Sequence, residues 1–329
     1  MGETEGRGQL VAAVDLGGTK ILTALVSSRG KVLVKRHHPT MAAEGPPAVV
    51  RRILSGINQL LSSRRAASGV SSLSIAAAGA IDMERGVVTK SPSLPGWVDI
   101  PLRSIVAEAF QLNTIIVNDA NAAALGENYF GAGRGARNLI YITVSTGIGG
   151  GIIINGELYL GASGGAGELG HMTIDINGPR CNCGNTGCLE VLASGTAIAK
   201  ETRRRLGQGE KSSLSDIVGG RVEDVTAEKV ALAAQGGDAL ATAVVARAAT
   251  YLGAGMVNLV NIFNPEVIVV GGGVAKMGDL LLNPVRQVVQ ERAFPQLAQT
   301  VRILPAQLGD DAGIIGAAVY AFQKTGAMR

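Results

Sequence analysis

The pattern that most limits the fold occurs twice. Residues 10 to 36 read as three short strands, Leu10–Asp15, Ile21–Val26 and Lys31–Lys35, with Gly17–Gly18 at the first turn and Arg29–Gly30 at the second. Near residue 139 the order restarts: strand Asn138–Ser145, glycine loop Thr146–Gly151, strand Ile152–Ile154, turn Asn155–Gly156 and strand Glu157–Leu160. A repeat of this kind argues for two related α/β lobes. Length agrees, because the chain has 329 residues and a single core stops growing at roughly 250 to 300.

Helices fill the remainder. Pro46–Pro47 opens a helix over residues 46–65, in which Val49, Val50, Ile53, Leu54, Ile57, Leu60 and Leu61 recur at helical spacing. Strand Leu73–Ala77, helix Leu102–Phe110 and strand Thr114–Val117 continue the alternation. The second lobe carries helices over about 191–206, 226–235 and 238–262, strand Glu266–Val270 and the triple glycine Gly271–Gly273. A final helix, about Gly313–Gln323, is expected to pack back on the first lobe.

Composition excludes several classes. With 47% hydrophobic and 17% charged residues the chain is not disordered, and its 46 glycines lack a collagen period. Aromatics make up only 3%, too few to offer stacking platforms for single-stranded nucleic acid. The net charge of +4 is small, and Arg51–Arg52, Arg64–Arg65 and Arg203–Arg205 sit among helix formers, so they read as solvated helix faces. No nucleic-acid partner is expected. Met1 to Gln9 is polar and charged, the following apolar stretch enters a glycine loop, and Met1-Gly2 lacks Ser or Thr at position 6, so neither a secretory leader nor myristoylation is expected. The uncharged stretches Asn138–Gly156 and Ala248–Pro265 carry glycines or asparagines that suit loops and buried helices better than lipid. A cytoplasmic chain without membrane contact is the expectation.

The first glycine loop is Asp15-Leu16-Gly17-Gly18-Thr19-Lys20. Paired glycines let backbone N–H groups approach an anion, Thr19 and Lys20 add a hydroxyl and a cation, and Asp15 at the strand end suits hydrated Mg²⁺. Hairpin geometry alone also explains the glycines. The spacing matches neither a P-loop nor a Rossmann fingerprint. The second loop, Ser145-Thr146-Gly147-Ile148-Gly149-Gly150-Gly151, strengthens the phosphate reading, because two such loops facing each other would clamp a triphosphate.

All three cysteines fall within eight residues, as Cys181-x-Cys183-x₄-Cys188, with His171 ten residues before the first. Three thiolates and an imidazole complete a tetrahedral Zn²⁺ shell, and a full shell is structural rather than catalytic. A disulfide uses only two, and a nucleic-acid zinc knuckle would want basic and aromatic neighbours that are missing. Glu168 and Glu190 bracket the cluster. Metal binding would draw them together into an oxygen-rich pocket suited to a polyol, with the free His171 N–H as a donor; taken singly, they read as helix-end or surface charges. Asn118-Asp119 ends an apolar strand and opens an alanine-rich helix. N-capping explains the pair, and so does a general base at a strand's C-terminal end with an adjacent acceptor-holding amide.

Together, Asp15–Lys20, Asn118-Asp119, the run from Thr146 to Glu168-Leu-Gly-His171, and Cys181 to Cys188-Leu-Glu190 resemble the ROK family of sugar kinases and repressors over residues 10 to 323. The resemblance implies the two-domain actin-like ATPase (ribonuclease H-like) α/β fold with an interdomain cleft. It places a small domain at 1–118 with the helix about 307–329 packing back on it, and a large domain at 119–306 carrying the zinc site. Carried over by position, Asp119 is the base on a hexose hydroxyl, commonly the 6-hydroxyl. Gly79, Asn118, Glu168, His171 and Glu190 hold the sugar. His171, Cys181, Cys183 and Cys188 hold zinc; Gly17, Gly18, Thr19, Lys20, Thr146 and Gly147 hold phosphates, and Gly271, Gly272 and Gly273 the adenosine side.

The implied reaction is phosphoryl transfer from Mg-ATP, with glucose the first-choice acceptor and a homo-dimer or homo-tetramer the implied assembly. N-acetylmannosamine, N-acetylglucosamine, mannose and fructose kinases share the residue set, and some relatives use polyphosphate. Ala78-Gly79-Ala80 stands where the family often has Pro-Gly-Pro, Ser93 where it often has Asn, and Ser145 where a glycine is common. The family's repressors carry a helix-turn-helix module before the first glycine loop. Here Asp15 comes early, which favours a kinase over a regulator, and the presence of Asp119 argues against a catalytically silent sugar sensor.

Overall fold

The computed structural model describes residues 9–63, 65–66 and 69–328. The readings made on residues 1–8, and Arg64 of the Arg64–Arg65 pair, lie outside the described residues. The chain divides into two units: Met1–Gly135 with Gly151–Gly167 and Gln307–Arg329, and Ala136–Gly150 with Glu168–Ala306.

The first unit begins with β1 (Leu10–Leu16), β2 (Lys20–Ser27) and β3 (Val32–Pro39), the expected meander. Helix α1 (Pro46–Leu61) starts on its two prolines, whose fixed φ suits a first turn. Its apolar stripe, Val49, Ile53, Ile57 and Leu60, is fully buried in one cluster with Leu16, Ile21, Leu25, Leu73 and Ile75. Strands β4 (Val70–Ala77), β5 (Ala80–Asp82), β6 (Val87–Lys90) and β7 (Val98–Ile100) precede α2 (Leu102–Phe110), β8 (Thr114–Asn118) and α3 (Asp119–Phe130). The main sheet runs β3-β2-β1-β4-β8, with β4 and β8 parallel to β1. That topology delivers the ends of β1 and β8, and so Asp15 and Asn118-Asp119, to the same edge of the sheet.

In the second part of the chain, β9 (Leu139–Val144), β10 (Ile148–Ile154) and β11 (Glu157–Leu158) repeat the meander. Here the glycine loop is shorter than expected: Gly149, Gly150 and Gly151 lie inside β10, and only Ser145–Gly147 turn, closed by Ser145 N–H donating to Gly147 O at 2.8 Å. Glycine in a strand marks close backbone approach, and at Gly151 a side chain would stand 2.6 Å from the Ala124 methyl. The helix expected over 191–206 is two, α4 (Leu189–Ala193) and α5 (Gly195–Gly207). Ser194 breaks it by accepting the Ala197 N–H and capping α5, while Gly195 N–H leaves the helix ladder for Ser145 O at 2.7 Å.

The unit continues with α6 (Leu214–Ile217), α7 (Ala227–Gln235), α8 (Ala239–Phe263), β12 (Val267–Gly271), α9 (Asp279–Arg292), α10 (Pro295–Ala298) and β13 (Arg302–Pro305). The sheet order is β11-β10-β9-β12-β13, and β12, buried at every position, is parallel to both neighbours. Helix α8 is long and apolar enough to cross a membrane by length and composition. It packs against α4, α5, α7 and α9, and carries Arg247, which pairs with Glu201 and lies over the Tyr251 ring. Arg204 and Arg205 of the basic cluster pair with Glu201 and Glu210.

The final helix, α11 (Ala312–Lys324), belongs to the first unit and lies against α3. Gly126 and Gly316 make that contact possible, since a methyl on Gly126 would approach Ala312 O to 2.6 Å and one on Gly316 would run into Ala122 O. The first unit therefore extends past residue 118, where the sequence places a boundary, to Gly135, because α3 packs on α11. It also takes in Gly151–Gly167, which the sequence assigns to the large domain.

Candidate active site

In the first unit the glycine loop is a tight turn. Gly17 N–H donates to Lys20 O at 3.0 Å, Gly17 O accepts the Thr40 hydroxyl at 2.7 Å, and a side chain at Gly18 would strike Ser93. Lys20 does not stand alone: its ammonium pairs at 2.8 Å with Asp310, a residue the sequence reading missed. Asp15 is only partly exposed. Burial, then the charge of Asp119, push its carboxyl up to about 7; Lys20 opposes them and Asp310 adds to them.

Asn118 caps α3, its Oδ1 accepting the N–H groups of Ala120 and Asn121 at 2.9 and 3.1 Å. Its amide Nδ2 donates to Gly79 O at 3.1 Å, so two expected sugar-site residues are tied together. Gly79 has φ +111°, and a side chain there would collide with Lys90 O. Asp119 follows, half-buried in the first turn of α3, and its Oδ1 accepts the Ala120 N–H at 2.9 Å.

In the second unit the cysteine cluster closes. Cys181 N–H donates to Asn185 O and Gly184 N–H to Cys181 O, a knuckle that puts Cys181 and Cys183 on one turn. Cys188 stands immediately before α4, paired across a bridge with Thr173. His171 arrives on the short turn Leu169–His171. The four ligating atoms lie within 4.8 Å of one another, with Cys181 Sγ 3.8 Å from His171 Nδ1 and Cys183 Sγ 3.7 Å from Cys188 Sγ. A tetrahedron with Zn–S bonds of about 2.3 Å has edges of about 3.8 Å, so these residues fit a zinc-sized cation. Burial and the neighbouring thiols push the Cys188 thiol up to about 12.

With Nδ1 facing the thiols, His171 Nε2 faces the exposed Glu168, 3.9 Å from its Oε2. Glu190, on α4, accepts the Ile148 N–H at 3.0 Å, and a side chain at Gly147 would run into its carboxylate. The loop is held from a second side by Thr196, whose hydroxyl donates to Thr146 O at 2.8 Å. Gly272, at φ +89°, leaves no room for a side chain against Val144 O, and this brings Gly271–Gly273 beside the start of the same loop.

These residues and this order of elements have known relatives. The sequence pattern of the ROK family matches residues 11–324. The chain belongs to the ROK family. It is 38% identical over 316 residues to the glucokinase of Thermotoga maritima, covering 95% of this chain and 97% of that one. It is similar to the crystal structure of a ROK family glucokinase from Streptomyces griseus in complex with glucose and AMPPNP, with a TM-score of 0.84 and 34% identity over 95% of this chain and 99% of that one. A repressor is also related: the xylose repressor of Bacillus spizizenii is 35% identical over 92% of this chain and 74% of its own length. The fold is the actin-like ATPase fold of the ROK sugar kinases.

Proposed function

We propose that the protein is an ATP-dependent glucokinase that phosphorylates the 6-hydroxyl of glucose with Asp119 as general base. The observation that carries this reading is Asp119 in the first turn of α3, next to the capping Asn118 and electrostatically coupled to the Asp15 carboxyl, in a chain that matches glucokinases over nearly its whole length. Asp119 takes the proton of the attacking hydroxyl. Gly79, Asn118, Glu168, His171 and Glu190 hold the remaining hydroxyls, with the Nε2 side of His171 turned to the sugar.

Gly17, Gly18, Thr19, Lys20, Thr146 and Gly147 hold the phosphates, and Gly271–Gly273 the adenosine side. Because the transition state of phosphoryl transfer is loose, alignment and charge neutralisation carry most of the catalysis. Asp15 would hold Mg²⁺, which neutralises phosphate charge when bound; a carboxyl pushed up first by burial and then by the neighbouring Asp119 carboxylate suits a cation. His171, Cys181, Cys183 and Cys188 hold one structural Zn²⁺ that fixes the Glu168 to Glu190 segment. We place the enzyme in the cytoplasm as a homo-oligomer.

A coupled ADP-release assay over glucose, mannose, fructose, N-acetylglucosamine and N-acetylmannosamine tests the reading, with the highest kcat/KM expected for glucose. No turnover on any of them would remove the kinase assignment and return a regulator to consideration.

A further inference from the structure

Glu127 is fully buried, two turns along α3 from Asp119. Three backbone N–H groups converge on its carboxylate: Ala132 donates to Oε2 at 2.8 Å, Leu308 to Oε1 at 2.8 Å, and Gln307 to both oxygens at 2.9 and 3.1 Å. A carboxylate in the interior persists only where donors surround it. Here the donors are main-chain groups, so the acid fixes the course of the chain. The space is prepared as well, since any side chain at Gly131 would run into Glu127 Oε2.

What the clamp holds leads to the phosphate loop. Gln307 and Leu308 open the segment that enters α11, and within that segment Asp310 pairs with Lys20 at 2.8 Å and Asp311 with Lys35 at 2.6 Å. One turn on, Gly313 lies so close to Asp15 that a methyl there would stand 2.7 Å from Asp15 Oδ2. Exposed ion pairs are weak when both partners must be ordered to meet. A loop pinned at its start removes part of that ordering cost.

We propose that Glu127 is a positioning residue for the phosphate side of the reaction. By gathering the Ala132, Gln307 and Leu308 N–H groups it fixes the 307–311 loop, whose Asp310 aims Lys20 and whose exit into α11 backs Asp15. The proposal rests on the kinase reading in taking Lys20 and Asp15 to face the phosphates.

The test compares the full-length parent with Glu127→Gln, Asp310→Asn, the double variant and Gly131→Ala. Amide hydrogen exchange, steady-state kinetics and Mg-ATP binding by calorimetry are the readouts. Losing a charge-assisted hydrogen bond should cost Glu127→Gln roughly tenfold or more in kcat/KM for ATP, while KM for glucose stays within about twofold. Exchange at Ala132, Gln307 and Leu308 should quicken. Asp310→Asn should show the same split, and the double variant should lose no more than about twofold beyond the worse single, because both act through one loop.

Gly131→Ala, which leaves Glu127 in the chain but crowds its carboxylate, should shift the same constants in the same direction. This variant decides the matter if Glu127→Gln does not fold. Quickened exchange with unchanged ATP kinetics would overturn the proposal, as would losses that multiply in the double variant. If the parent has no turnover, the kinase reading fails by itself. Mg-ATP affinity then decides for Glu127: weakened binding in its variants supports the positioning role, and unchanged binding overturns it.

Discussion

Glu190 accepts the N–H of Ile148 at 3.0 Å, and this bond joins the helix that follows the cysteine cluster to the second glycine loop. One carboxylate oxygen is thus committed to this N–H, and in the proposed function the other takes a sugar hydroxyl. Glu190→Gln should therefore damage both substrates. KM is expected to rise on the order of tenfold for glucose and several-fold for ATP, the scale of one hydrogen bond to a charged group. Gly147→Ala, which crowds the same carboxylate, should reproduce the double effect. A Glu190→Gln enzyme with a normal KM for ATP would show that the bond does not support the loop.

Cys183→Ser removes a ligand from a set whose sulfur and nitrogen atoms already stand at tetrahedral spacing. Metal analysis should give one zinc per chain in the parent and clearly less in the variant. Thermal stability and glucose affinity should fall together, because the cluster orients His171 through its Nδ1 side. A parent that contains no zinc would refute the cluster assignment.

Much of this was legible in the sequence, and the exceptions have physical causes. Three cysteines and a histidine advertise a site through side-chain chemistry and spacing alone, the first strand–glycine–strand copy places Asp15 at the end of its strand, and the apolar run Thr114–Val117 places Asn118-Asp119 at the end of another. Glu127 and Asp310 gave no such signal. Each is a single acidic residue whose partners lie far along the chain, and Glu127 reaches main-chain groups about which side-chain patterns say nothing. The cue the sequence does carry is the pair Asp310-Asp311 just before an apolar helix. The small sheet β5-β6-β7 leaves little pattern in the sequence because its strands are short and set among Ser, Pro and Gly, and α9 is masked by Pro284 inside it.

Stability should respond to pH through Asp15. Its carboxyl is about 3.8 when unperturbed and about 7 in the fold, so the folded state favours the protonated form. This contribution is fully present below about pH 4, and is lost as pH rises through 7. The largest cost of keeping the ionised form at high pH is ~4 kcal/mol, less in practice because Asp15 is partly exposed. Asp15→Asn should then stabilise the ligand-free protein against urea at pH 8 but hardly at pH 4, while sharply reducing turnover. Equal urea midpoints for parent and variant at pH 8 would contradict the shift.

The central claim is that Asp119 is the base of a glucose kinase. The most direct measurement is glucose-dependent ADP release by the parent and by Asp119→Asn, with glucose binding followed in parallel by calorimetry. The account predicts turnover in the parent, a loss of roughly a hundredfold to ten-thousandfold in kcat for the variant, and glucose affinity within a few-fold of the parent. Near-normal kcat in a folded Asp119→Asn enzyme would contradict it.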